Sequence, residues 1–231
     1  MSSNNSNNKL LPEKGVINIY NEQSTIPNIN MNKIEQTIFT IRDVIGYNSY
    51  SVNLVLVEDE YMKETNLDSR GIDKPTDILS FPLHDTVLGG AKGAGTLVDP
   101  EFNIPEYYCL GDMMIDVPYV MRRIEEDKLY NESESESGYE DDDDDEEEYD
   151  DDDDGDDYED YVGDDDRGVS GAMATIYDPE ERIQLLLVHG MLHLVGYDHI
   201  EDDDYEVMVT KEEEIVKVLQ EAKLIGTKES E

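Results

Sequence analysis

The chain has 231 residues and carries 59 acidic against 17 basic side chains, a formal net charge of −42. That balance excludes a broad basic face for nucleic acid, because phosphate binding draws on Lys and Arg, so any such contact has to be local. The single cysteine, Cys109, allows no intramolecular disulfide and fits a reducing compartment; no apolar run reaches the ~20 residues of a membrane span.

Residues 1–14 are polar and Asn-rich. They lack the apolar core of a secretory signal and the Arg-rich character of a mitochondrial leader, and are expected to form a disordered tail. Gly15 to Asn21 (GVINIYN) alternates as a half-buried strand does. Ile34, Ile38, Ile41 and Ile45 recur at three and four, which predicts one helix over 31–45. Ser51 to Val57 (SVNLVLV) is strongly β, and 58–67 is predicted as a short helix. Arg70 begins RGIDKPTDILSFPL, read as a loop followed by a short strand. Residues 84–108, with Gly89, Gly90, Gly93 and Gly95, are loop-like, and His84 is read as a loop residue. Cys109 to Ile115 (CLGDMMI) is the fourth strand. Asp116 then caps a helix over 117–128, with Pro118 in its first turn.

Residues 132–166 hold 24 Asp or Glu and no Lys or Arg. Such a stretch repels itself and buries nothing, so 131–168 is predicted as a disordered insertion. A long surface insertion costs little chain entropy, about 0.6 kcal/mol per doubling of length. Without residues 132–166 the chain still has 35 acidic against 17 basic residues. After the insertion, Pro179 opens a helix to about 195, and an amphipathic helix follows over 201–219. The predicted fold is α+β: a small mixed four-stranded sheet covered by helices, in one domain over 15–222 that the insertion interrupts. Residues 223–231 are expected to fray.

Three of the four histidines lie in HGMLHLVGYDH, residues 189–199. His189 and His193, four apart, share a helix face. Gly196 stops the helix and Tyr197-Asp198 turns the chain, so His199 can return to the same point. Three neutral imidazoles converging at a helix end suit a catalytic zinc site, each nitrogen at roughly 2.0–2.1 Å and a fourth position open. A zinc peptidase would carry Glu after the first His as general base, but this chain has Gly190. Arg70 suits phosphate or transition-state charge through its planar fork; pairing with surface carboxylates is the alternative. Asp112 lies in an apolar strand, where a buried carboxylate needs a partner: a ligating His, or a simple N–H or Lys contact.

RGIDKPTDILSFP, LGDMMID and HGMLHLVGYDH, in this chain order and with the acidic stretch between the last two, resemble the YbeY family of metal-dependent endoribonucleases. Outside the insertion and the termini the resemblance covers nearly the whole chain. It implies a single-strand-specific endoribonuclease of ribosomal RNA maturation and ribosome quality control, with one divalent metal, Zn2+ first among candidates. It implies His189, His193 and His199 as metal ligands, Arg70 as the functional arginine, and Asp112 as an acidic residue near the site. Lys74, in the same motif as Arg70, holds RNA or only its own loop. The acidic surface implies recruitment by a ribosomal protein or assembly factor, with no membrane partner. The expected location is intracellular: cytoplasm or a ribosome-containing organelle. Two other readings stay open, a zinc peptidase with a base from elsewhere and a non-catalytic assembly factor with a structural metal.

Overall fold

A computed structural model describes residues 14–102, 104–136, 168–173 and 175–226. Almost all of the predicted N-terminal tail and most of the predicted acidic insertion lie outside the described residues. The four predicted strands form one mixed sheet, β1 (Ile17–Asn21), β2 (Ser51–Val57), β3 (Ile78–Pro82) and β4 (Cys109–Asp116), in the order β1-β2-β4-β3. β1, β2 and β4 run parallel, and β3 closes the edge antiparallel to β4. Among the described residues six α-helices accompany them: α1 (Met31–Val44), α2 (Asp59–Arg70), α3 (Val117–Glu136), α4 (Gly168–Met173), α5 (Pro179–Leu194) and α6 (Asp202–Glu221).

Strand alternation sorts the side chains into two layers. Val52, Leu54 and Leu56 of β2 join Met113 and Ile115 of β4 in the main core, with Ile34, Ile38 and Ile41 of α1. Val57 and Leu79 face the other way and pack on Met62 of α2, with Val55, Phe81 and Met114 around them.

At the centre of the main core lies α5. Almost every residue from Arg182 to Leu194 is buried, so this helix is enclosed rather than amphipathic. Its start is well specified. Asp178 accepts from the Glu181 N–H at 2.9 Å, Pro179 occupies the first turn, and Glu180 and Glu181 lie where the helix dipole favours anions. Its end is set by Gly196, at φ 83°, where the Gly196 and Tyr197 N–H groups donate back to the carbonyls of His193 and Leu192. On one side α5 meets β3 and β4 closely. A Cβ on Gly190 would stand 2.6 Å from Ile78 Cδ1 and 3.0 Å from both Ser80 Oγ and Met113 Sδ.

Three boundaries differ from the sequence reading, and one helix is additional. The second helix continues past Leu67 to Arg70, where Gly71 at φ 78° caps it. α3 runs into the acidic stretch as far as Glu136, well past Lys128. The short helix α4 was not predicted. The chain beyond 222 does not fray at once, since Leu224 and Ile225 are buried in the main core. No described helix is long and apolar enough to cross a membrane.

The Gly190 contact is directly testable. Gly190→Ala is expected to destabilise the fold by about 1–3 kcal/mol through overpacking against β3, read from urea unfolding; an unchanged midpoint at unchanged slope would contradict this packing.

Candidate metal centre

His189 and His193 lie in the last two turns of α5, and His199 follows the Gly196 turn. One ligand atom from each lies within 4.8 Å of the others. The positions of the protons follow from the partners. His189 Nδ1 is 2.9 Å from Glu212 Oε1, and His193 Nδ1 is 3.0 Å from the Tyr197 carbonyl oxygen. A carboxylate and a carbonyl only accept, so each Nδ1 carries a proton, which in the neutral imidazole leaves the lone pair on Nε2. The two Nε2 atoms are 3.0 Å apart. Two lone pairs turned on one another repel unless a cation lies between them. Nitrogens ligating one tetrahedral ion at 2.0–2.1 Å would be roughly 3.3–3.4 Å apart, so this donor set fits a divalent metal.

The return of His199 is shaped by the loop after β3. The Gly95 N–H donates to the Val195 carbonyl at 2.9 Å, while the Tyr47 hydroxyl donates to the Gly95 carbonyl and accepts from the Leu97 N–H. Thr86 packs on Gly196 so closely that a Cβ there would be 2.0 Å from its methyl. Asp198 Oδ1 accepts from the His199 N–H at 2.8 Å. The turn is thus fixed from both sides.

Electrostatics favour the neutral, ligating form of His193 and His199. Burial, then the neighbouring His189 and His199, pull the pKa of His193 down to about 3; the positive charge of Arg70 adds to this. Burial and His189 also lower His199. Arg70 is therefore near enough for its charge to reach the cluster. It is exposed, and it stands at the C-terminal end of α2 rather than in a loop, where the helix dipole favours a cation. Lys74 is exposed in the following loop, and its carbonyl accepts from Asn66 Nδ2 at 2.8 Å.

Of its two expected partners Asp112 has the simple N–H contact, and it is exposed rather than buried. Its neighbour Met113 faces α5, so Asp112, paired with Phe81 across the strands, faces away from the histidines. It is exposed and accepts from Asn53 Nδ2 at 2.6 Å. Its partner is therefore a neighbouring strand's amide, not a histidine. Sequence reasoning also missed a site residue, Glu212, which is 4% exposed and hydrogen-bonded to His189. A signal existed: position 212 falls within the α6 stripe of Met208, Val209, Ile215 and Leu219. His84 stacks edge-on with Tyr50, ring centroids 5.7 Å apart.

The fold and its donor set define a domain able to hold a metal ion on three histidines at the end of a buried helix. The family model for "Endoribonuclease YbeY" matches residues 17–148 and 168–220, passing over 149–167. The chain belongs to this family of hydrolytic nucleases. It is 27% identical over 168 residues to the endoribonuclease YbeY of Halalkalibacterium halodurans, covering 73% of this chain and 71% of that protein. It is 26% identical over 205 residues to that of Thermoanaerobacter sp., covering 86% and 93%. With a Clostridium botulinum relative of the same name it shares 28% over 194 residues, covering 81% and 87%.

A pH dependence follows for the metal-free protein. His193 titrates near 3 in the folded state and near 6.5 unfolded, so between these values the unfolded chain binds more protons. Its stabilising contribution is complete above pH 6.5 and is lost as the pH falls toward 3. His193→Gln is expected to flatten the decline in urea midpoint between pH 6.5 and 4; an unaltered slope would contradict a buried neutral His193.

Proposed function

We propose that this protein is a metal-dependent, single-strand-specific endoribonuclease of ribosomal RNA maturation and ribosome quality control. One observation carries the reading: in a chain of the endoribonuclease YbeY family, His189, His193 and His199 each bring a ligand atom within 4.8 Å of the others, and the charge of Arg70 reaches His193. His189, His193 and His199 would hold one divalent ion. Zinc suits three imidazoles and an open fourth position, while nickel, copper and iron share the preference for nitrogen. When bound, the ion supplies Lewis acidity toward a phosphoryl group and toward water.

The chain's own residues do the rest. Arg70 donates two parallel hydrogen bonds to phosphate oxygens and stabilises the charge that builds there during cleavage. Lys74, four residues on, holds the RNA backbone as a point charge. Asp112 is left without a part at the metal, because it faces the opposite side of the sheet. With so acidic a surface, affinity for RNA comes from these few cations and from recruitment by a basic ribosomal protein or an assembly factor. The protein then works where ribosomes are assembled, in the cytoplasm or a ribosome-containing organelle.

A peptidase would have to take its general base from outside the histidine helix. The place of a motif glutamate is filled by Ile78, Ser80 and Met113, leaving no room for a carboxylate.

The division of roles is tested by two variants. Arg70→Ala is expected to keep its zinc and its fold while cleaving a fluorescent single-stranded RNA about 10²-fold more slowly, the usual cost of one preorganised donor. His193→Ala is expected to lose the metal as well as the activity. Equal metal loss in both, measured by elemental analysis, would contradict separate binding and charge-stabilising roles.

A further inference from the structure

The carboxylate of Glu212 is buried between two donors from distant parts of the chain. Oε1 takes the proton side of His189, with Nδ1 at 2.9 Å, and Oε2 accepts from the Val169 N–H at 3.0 Å. The second contact comes from the first turn of α4, where the chain returns after the acidic stretch. That approach needs a residue without a side chain, because Gly168 sits at φ 62° and a Cβ there would be 2.4 Å from Oε2. Neither oxygen can be replaced by a donor without loss, since both positions face an N–H.

We infer that Glu212 is a positioning residue for the metal centre: it holds the His189 proton on Nδ1, so that Nε2 is the nitrogen that would ligate, and ties that choice to the backbone of Gly168-Val169. The inference rests on the reading of His189 as a metal ligand through Nε2. A hydrogen bond to the far nitrogen of a ligating imidazole fixes its tautomer and ring angle and strengthens the donor. His193 receives the same service from a backbone carbonyl, which mutation does not remove, so Glu212 is the side chain on which the arrangement of the pair depends. The anchoring contact also means that the start of α4, remote in sequence from every histidine, bears on metal affinity.

Glu212→Gln is isosteric and separates this role from simple core filling. An amide has one acceptor. If its oxygen keeps the Val169 N–H, its NH2 group faces His189 and drives the proton onto Nε2, the atom needed for the metal. In 15N-labelled metal-free wild type, long-range imidazole spectra are expected to show His189 protonated on Nδ1. In Glu212→Gln they are expected to show a shift toward the Nε2–H form, with zinc affinity ten- to a hundredfold weaker in a chelator competition. Gly168→Ala, which leaves every ligand and Glu212 chemically intact but pushes on Oε2, is expected to weaken zinc binding in the same direction. A wild-type His189 protonated on Nε2 overturns the proposal without recourse to any variant. A wild type that binds zinc, beside a Glu212→Gln protein of unchanged tautomer and affinity, overturns the role of Glu212 alone. A wild type that binds no zinc overturns the metal reading, and this role with it.

Discussion

His189 and His193 face each other with Nε2 atoms 3.0 Å apart, a contact that is unfavourable when both carry lone pairs and no cation lies between them, and that the packing of α5 maintains. The repulsion is offset by packing. α5 is buried on every side, capped at its start by Asp178 and stopped at Gly196. It is drawn onto β3 and β4 by the missing side chain of Gly190. Both Nδ1 protons are committed to acceptors that cannot reverse the bond, so the ring orientations are set before any ion arrives. Preorganisation of this kind places the cost of bringing three donors together in folding rather than in binding.

The same layout resolves the conflict between a net charge of −42 and an RNA substrate. At physiological salt, charges are screened beyond about 8 Å, so what matters to a phosphate is the charge close to it. Arg70 ends α2 near the histidines, where the helix dipole also favours a cation. A narrow cationic point next to a metal site can act on one phosphate. It cannot bind a long duplex by charge alone, which is why the proposal takes a single-stranded substrate and a recruiting partner.

Much of this was legible in the sequence, and the exceptions have physical causes. The stripe Ile34-Ile38-Ile41 and the alternation of SVNLVLV report burial on one face, so α1 and β2 were placed to within a residue or so. The histidine triad was legible because spacing along a helix and a glycine stop are local facts. Arg70 reads as the start of a loop because Gly71, Asp73, Lys74 and Pro75 are turn material; the αL Gly71 instead caps a helix that runs through Arg70. Asp112 was read as buried from its apolar neighbours, but the face a strand residue takes depends on pairing. The register shift between Ser51 and Asn53, opposite the start of β4, is not visible in one strand alone. Glu212 was hidden in the run Glu212-Glu213-Glu214, which resembles a solvated face. Its burial depends on Gly168 and Val169, which are distant in sequence and follow the acidic stretch.

The most direct measurement is the fate of RNA under the purified wild-type protein, loaded with zinc and then treated with chelator. Single-stranded ribosomal RNA fragments should be cut internally, duplexes of the same sequence should be spared, and removing the metal should stop cleavage. A protein that binds zinc with full occupancy yet leaves single-stranded RNA intact, both free and within ribosomal subunits, would contradict the assignment of this site as a ribonuclease centre.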